Sequence, residues 1–384
     1  MVEISIGDYL KIAPEIIDKN DFQRKIVIKS KIKEILREDL LQGCSIPPVV
    51  LSIKNESLLQ GINFEKFNLN QKNIVEQAFD EKSLIIIDGL QRTYVMISLM
   101  DELLKANKEE DLNAFFGRTI RAEVYVGLDR LGILYRMITL NTGQNTMSTR
   151  HLMEILYFDY QTKGVENIKF VLDRDDSPVR LNTTEFVFKD TLDGFTSYLE
   201  KSENITERTE ILDNIRTLKN LDDLNKDVDL FRGFVLLYQK LLITLINKTD
   251  DWQFVSDDFD QTEFVIKSSP FGKSTIEVFK RSQSLTGFGA ALGHFRKKIE
   301  FSEISHMIDN ISTSENDFQY VMKQIIKYLD IIRDKSKKIG NDQRYFFRQI
   351  YQLLFDKSND CYLLFDKAVE TAFDVTRDDK LPNK

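Results

Sequence analysis

Two hydrophobic rhythms run along this chain, and the balance between them shifts near residue 160. In the first part, short runs of strand character alternate with stretches of helical spacing. Ile46-Pro47-Pro48-Val49-Val50-Leu51-Ser52-Ile53 joins an extended diproline to β-branched residues, so a strand is predicted there. Leu84-Ile85-Ile86-Ile87 is a continuous apolar run, as in a buried strand. Thr119 to Val126 alternates, as a half-buried strand does. From Thr93 to Lys105, apolar residues at Val95, Met96, Leu99, Met100, Leu103 and Leu104 keep helical spacing. Helices are also predicted at 71–79, 129–140 and 148–160. The segment to about Leu41 reads as helical in pieces, with Ile28, Ile32, Ile35 and Leu36 on one face and Gly43 as the stop.

Beyond residue 160, helical patterns dominate: 211–221, 228–245, 318–332 and 345–355. One small strand pair is expected near Thr262 to Ile266, and surface connections at Lys201 to Asn204 and near Asp250. The prediction is an α+β protein, with a mixed domain over 1–160 and a mostly helical domain over 161–384. A chain of 384 residues agrees with two domains.

Composition narrows the classes. Six prolines and 16 glycines in 384 residues favour long regular elements over a disordered linker. A net charge of −8 excludes bulk electrostatic binding of nucleic acid, so any such surface must be local. Cys44 and Cys361 form no disulfide framework and no zinc spacing, and a reduced, cytoplasmic compartment is expected. Met1 to Ile6 shows no secretory signal pattern. The longest apolar stretch, Phe234 to Ile246, is interrupted by Gln239 and Lys240 and reads as a buried helix, so no membrane partner is expected. His151, His294 and His306 are scattered, which removes most zinc hydrolases and histidine-metal nucleases.

The densest chemistry is Asp88-Gly89-Leu90-Gln91-Arg92, where the apolar run meets the helical pattern. A strand breaking at glycine into a helix presents unpaired N–H groups and the positive end of a dipole, a corner suited to phosphate. Arg92 adds a planar, permanent cation. The plainer alternative is a capped helix start, with Asp88 as N-cap and Gln91 closing a capping box.

These residues resemble the DGQHR and DUF262-type proteins, a branch of the ParB/sulfiredoxin-like superfamily. Asp88, Gly89, Gln91 and Arg92 match the mark of that family, and Leu90 departs from it. Phe22-Gln23-Arg24, Ile46-Pro47-Pro48-Val49 and Asn141-Thr142-Gly143-Gln144 look like its other elements, in the expected order. The resemblance implies a ParB-like domain over 1–160 that uses this corner for nucleotide or phosphate binding, an NTP with Mg²⁺ being one such ligand. In it Arg92 and Arg24 engage phosphate, Gln91 and Gln23 orient it, Asp88 holds the cation, and Asn141 and Thr142 close the rim. It further implies a DNA-associated role in prokaryotic or phage DNA modification, restriction or anti-phage defence, with NTP hydrolysis as one extension. The alternatives are a non-catalytic, DndB-like regulator and a protein-interaction scaffold, with a partner protein encoded nearby. No histidine-metal motif supports DNA cleavage.

Three other features have competing readings. The cations Lys25, Lys29, Lys31, Lys33 and Arg37 form either a solvated helix face or a strip for DNA phosphates. The glycines of Gly287-Phe288-Gly289-Ala290-Ala291-Leu292-Gly293 lack the dinucleotide spacing and point to close helix packing. Tyr345, Phe346, Phe347, Tyr351 and Phe355 read as core rather than as base-stacking groups.

Overall fold

The computed structural model describes residues 1–18, 30–53, 71–128, 130–140, 149–171, 182–204, 229–255, 269–296, 298–314 and 317–381. The chain divides into two compact units, residues 1–147 with 210–215, and residues 148–209 with 216–384.

The first unit carries strand β1 (Val2–Ser5), helices α1 (Ile6–Asp18) and α2 (Ser30–Gln42), strand β2 (Val49–Ile53), helix α3 (Gln71–Asp80) and strand β3 (Leu84–Asp88). Helices α4 (Leu90–Lys105) and α5 (Glu109–Phe116), strand β4 (Thr119–Tyr125) and helix α6 (Arg130–Leu140) follow. Its four strands form one mixed sheet in the order β1-β4-β2-β3. Strand β2 is parallel to β4 and antiparallel to β3, and β1 lies antiparallel to β4 at the edge. The opening segment holds two helices, in keeping with its reading as helical in pieces, and adds a strand at Val2–Ser5 that the sequence did not announce. Four residues are too few to show alternation, and β4 supplies the ladder that makes Val2–Ser5 a strand. Gly43 follows α2 at φ +77°, as its role as a helix stop requires.

One face of the sheet, with Leu51, Ile53, Leu84, Ile86 and Ala122, packs against Tyr9, Ala13 and Ile16 of α1 and Val95, Met96 and Leu99 of α4. Val50, Ser52 and Ile85 alternate onto the other face and are buried as well. Helix α6 packs against β3, with Ile133, Leu134, Met137 and Ile138 buried. Apolar cover on both faces explains why β3 is a continuous hydrophobic run.

The second unit is helical apart from one parallel pair, β5 (Lys169–Val171) with β6 (Glu185–Val187). The strand pair expected near 262–266 and the helix expected over 211–221 lie outside the described residues. Helices α7 (Thr149–Leu156) and α8 (Phe158–Lys163) replace the single helix predicted over 148–160, the chain turning at Tyr157. The others are α9 (Phe188–Glu200), α10 (Leu230–Lys248), α11 (Thr275–Phe279), α12 (Ser282–Phe295), α13 (Phe301–Asp309), α14 (Phe318–Lys335), α15 (Ile339–Phe355) and α16 (Phe365–Lys380).

Helix α12 is buried along most of its length and lies against α9 and α15. Its glycines make that approach possible. A Cβ on Gly289 would fall 1.9 Å from the Gly194 carbonyl oxygen, and one on Gly293 would fall 2.4 Å from that of Tyr198. The glycine run is a packing seam, and the aromatic stripe of α15 is core, with Phe346, Phe347, Tyr351 and Phe355 fully buried. Helix α10 alone among the described residues is long and apolar enough to cross a membrane, and half of that window is buried inside the protein. Its Phe231, Phe234, Tyr238 and Leu241 belong to the unit's core.

Candidate phosphate-binding corner

The site is assembled where β3 hands over to α4. The register between β2 and β3 shifts between Val50 and Leu51: Leu51 faces Ile86, but Val50 faces Asp88, leaving Ile87 as the extra residue of a bulge. Simple alternation from Leu84 and Ile86 would turn residue 88 toward the core. The bulge re-aims it onto the row of Val50, where its carboxylate remains partly exposed.

Gly89 then turns the chain at φ +100° and ψ 8° and is the N-cap of α4, with no side-chain cap. The capping box of the plainer alternative is absent: Asp88 precedes the cap, and Gln91 is exposed. Space as well as conformation demands glycine here. A Cβ would meet Val49 Cγ1 at 2.5 Å and Arg92 Nη2 at 3.1 Å. The first helical hydrogen bond runs from the Thr93 N–H to the Gly89 carbonyl, so the N–H groups of residues 90–92 have no acceptor within the helix.

Arg92 folds back through the room left by Gly89. Its Nη2 donates to Asp88 Oδ2 at 2.6 Å and to the Pro48 carbonyl at 3.0 Å, tying the end of β3 to the approach of β2. Its Nε is buried with no hydrogen-bond partner. Thr93, fully buried, donates to the Gly89 carbonyl at 3.0 Å and shares a 2.8 Å hydrogen bond with the Tyr9 hydroxyl. Burial pushes the Tyr9 phenol up to about 12, against the smaller opposing effects of the Thr93 hydrogen bond and the Arg92 charge.

Across the sheet, Val50 also faces Glu123, so Asp88, Val50 and Glu123 stand in one row. Tyr125 donates to Glu123 Oε1 at 2.6 Å, and the Arg136 guanidinium lies 4.8 Å from the Tyr125 ring centre. The hydrogen bond to Glu123 raises the Tyr125 phenol above its ordinary value. Sequence reasoning missed Glu123, Tyr125 and Arg136. The alternation over 119–126 puts Glu123 and Tyr125 on one face, which was the available signal.

Of the other expected site residues, Gln23, Arg24, Asn141, Thr142, Lys25 and Lys29 lie outside the described residues, as does the side chain of Lys31. Lys33 is exposed on α2. Arg37 is drawn off the expected DNA strip, because it grips both carboxylate oxygens of Glu102 on α4, one of them from Nε at 2.9 Å. Helix α2 also carries Glu34, Glu38 and Asp39 beside Lys31, Lys33 and Arg37, so over its full length it is charge-balanced.

The corner fits an anion better than a resident metal. Asp88 is engaged by Arg92. Glu123, two strand spacings away in the same row, already accepts a hydrogen bond from the Tyr125 hydroxyl. Among the described residues no group of three or more His, Cys, Asp or Glu side chains is placed to hold a metal. No family model matches the chain, and neither a curated protein nor a solved structure matches it.

Proposed function

We propose that the first unit recognises the phosphate of a nucleotide at the β3–α4 corner. The carrying observation is Arg92 held ready beside an uncapped helix start, braced by Asp88 and by the Pro48 carbonyl. A guanidinium already fixed in place loses little freedom on meeting phosphate, and the helix N–H groups add donors aimed at the same charge. Gln91, exposed in the first turn, is placed to contact the ligand. Mg²⁺ would arrive on the nucleotide's own phosphates.

Binding without hydrolysis is the favoured form of this reading, because Asp88 is occupied by Arg92 and is not free to act as a base. A non-catalytic regulator in prokaryotic or phage DNA modification or defence is the role that the resemblance to DGQHR-type proteins adds. Association with DNA rests on that resemblance alone, since α2 is charge-balanced.

Thermal unfolding with ATP, GTP or CTP plus Mg²⁺ tests the proposal. A ligand at 100 times its dissociation constant stabilises the native state by about 2.7 kcal/mol, a readily measured rise in Tm. Gln91→Glu is the diagnostic variant. An acid in the first turn suits the helix dipole, so the ligand-free protein keeps its stability. The same charge repels phosphate and should abolish the shift. No shift with any nucleotide, or an undiminished shift in Gln91→Glu, would overturn the proposal.

A further inference from the structure

Tyr9 of α1 and Thr93 of α4 are both fully buried, and their hydroxyls meet at 2.8 Å across 84 residues of sequence. A second bond fixes the direction of the first. Thr93 has one hydroxyl proton, and it goes to the Gly89 carbonyl at 3.0 Å, so the Thr93 oxygen accepts from Tyr9. Burial holds the Tyr9 phenol up at about 12, so it stays protonated and able to donate at neutral pH. The result is a closed relay from Tyr9 through Thr93 to the Gly89 carbonyl.

A threonine bonded to the carbonyl four residues earlier is ordinary inside a helix and says nothing of function by itself. Here that carbonyl belongs to the peptide on which the corner depends. In a trans peptide the C=O and N–H point in opposite directions. With the Gly89 oxygen drawn into α4, the Leu90 N–H is turned outward as one of the donors with no acceptor within the helix. Gly89 stands at φ +100°, and a glycine tolerates many orientations of the peptide that follows it. The Thr93 N–H and hydroxyl both hold its oxygen in place. A flipped peptide would lose both bonds and present an oxygen to an incoming anion.

We infer that Tyr9 and Thr93 are positioning residues of the β3–α4 corner, locking the Gly89–Leu90 peptide with its N–H toward the phosphate. The inference rests on the reading of that corner as a phosphate site. Both side chains are fully buried, so neither reaches a ligand, and their effect on affinity passes through Gly89. Helix α1 thereby sets the affinity of a site formed by β3 and α4.

Calorimetric titration of the full chain with the Mg²⁺ complexes of ATP, GTP and CTP tests it. Thr93→Val keeps the shape and loses the hydroxyl. It should weaken the tightest-binding nucleotide about fivefold, the worth of one ordinary hydrogen bond. It also strands the Tyr9 hydroxyl, so its Tm should fall. Tyr9→Phe/Thr93→Val removes both polar groups, and its Tm should recover relative to Thr93→Val while its affinity stays about fivefold reduced. Thr93→Ser restores the hydroxyl and should restore binding. A merely structural role would make affinity follow stability across the series. Wild-type affinity in Tyr9→Phe/Thr93→Val, or no rescue by Thr93→Ser, would overturn the positioning role and leave the corner as a phosphate site. Absence of binding by the wild type to all three nucleotides would overturn both.

Discussion

Arg92 reaches back one helical turn to Asp88, at 2.6 Å, through space that exists only because residue 89 has no side chain. The ion pair, the glycine turn and the hydrogen bond to Pro48 therefore form one device. Gly89→Ala should destabilise the first unit by roughly 2–5 kcal/mol, since a left-handed backbone costs a non-glycine residue about 1–2 and forced overpacking about 1–3. Urea denaturation followed by a probe in that unit measures it, and a loss under 1 kcal/mol would contradict the described turn.

Tyr9 makes stability in the same unit depend on alkaline pH. Its folded-state pKa lies above the ordinary value of 10.0, at about 12. The stabilisation is therefore complete below pH 10 and is lost as pH rises toward 12. Tyr9→Phe should cost about 1 kcal/mol at neutral pH through the lost hydrogen bond to Thr93. Above pH 10 its stability should decline less steeply than that of the wild type. Denaturation midpoints between pH 8 and 11 give the comparison, and parallel slopes would refute it.

In the second unit, Glu203 is buried and bound to Arg348 at 2.6 Å, although its sequence neighbourhood reads as a surface connection. Arg348→Met should cost about 3–5 kcal/mol by stranding a buried carboxylate. Arg377→Met, which removes exposed pairs with Asp374 and Asp378, should change stability by about 1 kcal/mol or less. Equal effects of the two substitutions would show that Glu203 is solvated.

Gly289→Ala places a methyl group where the Gly194 carbonyl stands, 1.9 Å away, with backbone on both sides of the contact. The helices must separate, and a loss of about 3 kcal/mol or more is expected for overpacking that backbone cannot relieve. Gly340→Ala meets only the Arg344 side-chain tip at 3.1 Å and should be nearly neutral. Thermal unfolding of the two variants side by side checks the seam.

The amino-acid sequence by itself determined the elements whose cause is local. The continuous apolar run from Leu84 to Ile87 is a strand, the spacing from Val95 to Leu104 is a helix, and Gly89 turns the chain between them. Periodicity and glycine conformation act over a few residues, so they can be read without coordinates. Tertiary structure alone decided the bulge that turns Asp88 off the core face, the row it shares with Glu123, and the edge strand at Val2–Ser5. It alone drew Arg37 to Glu102 and Arg348 to Glu203. Register and ion-pair choice depend on groups 65 and 145 residues apart in these two pairs. No pattern confined to one segment can encode such partners, because they are selected by the packing that brings the segments together.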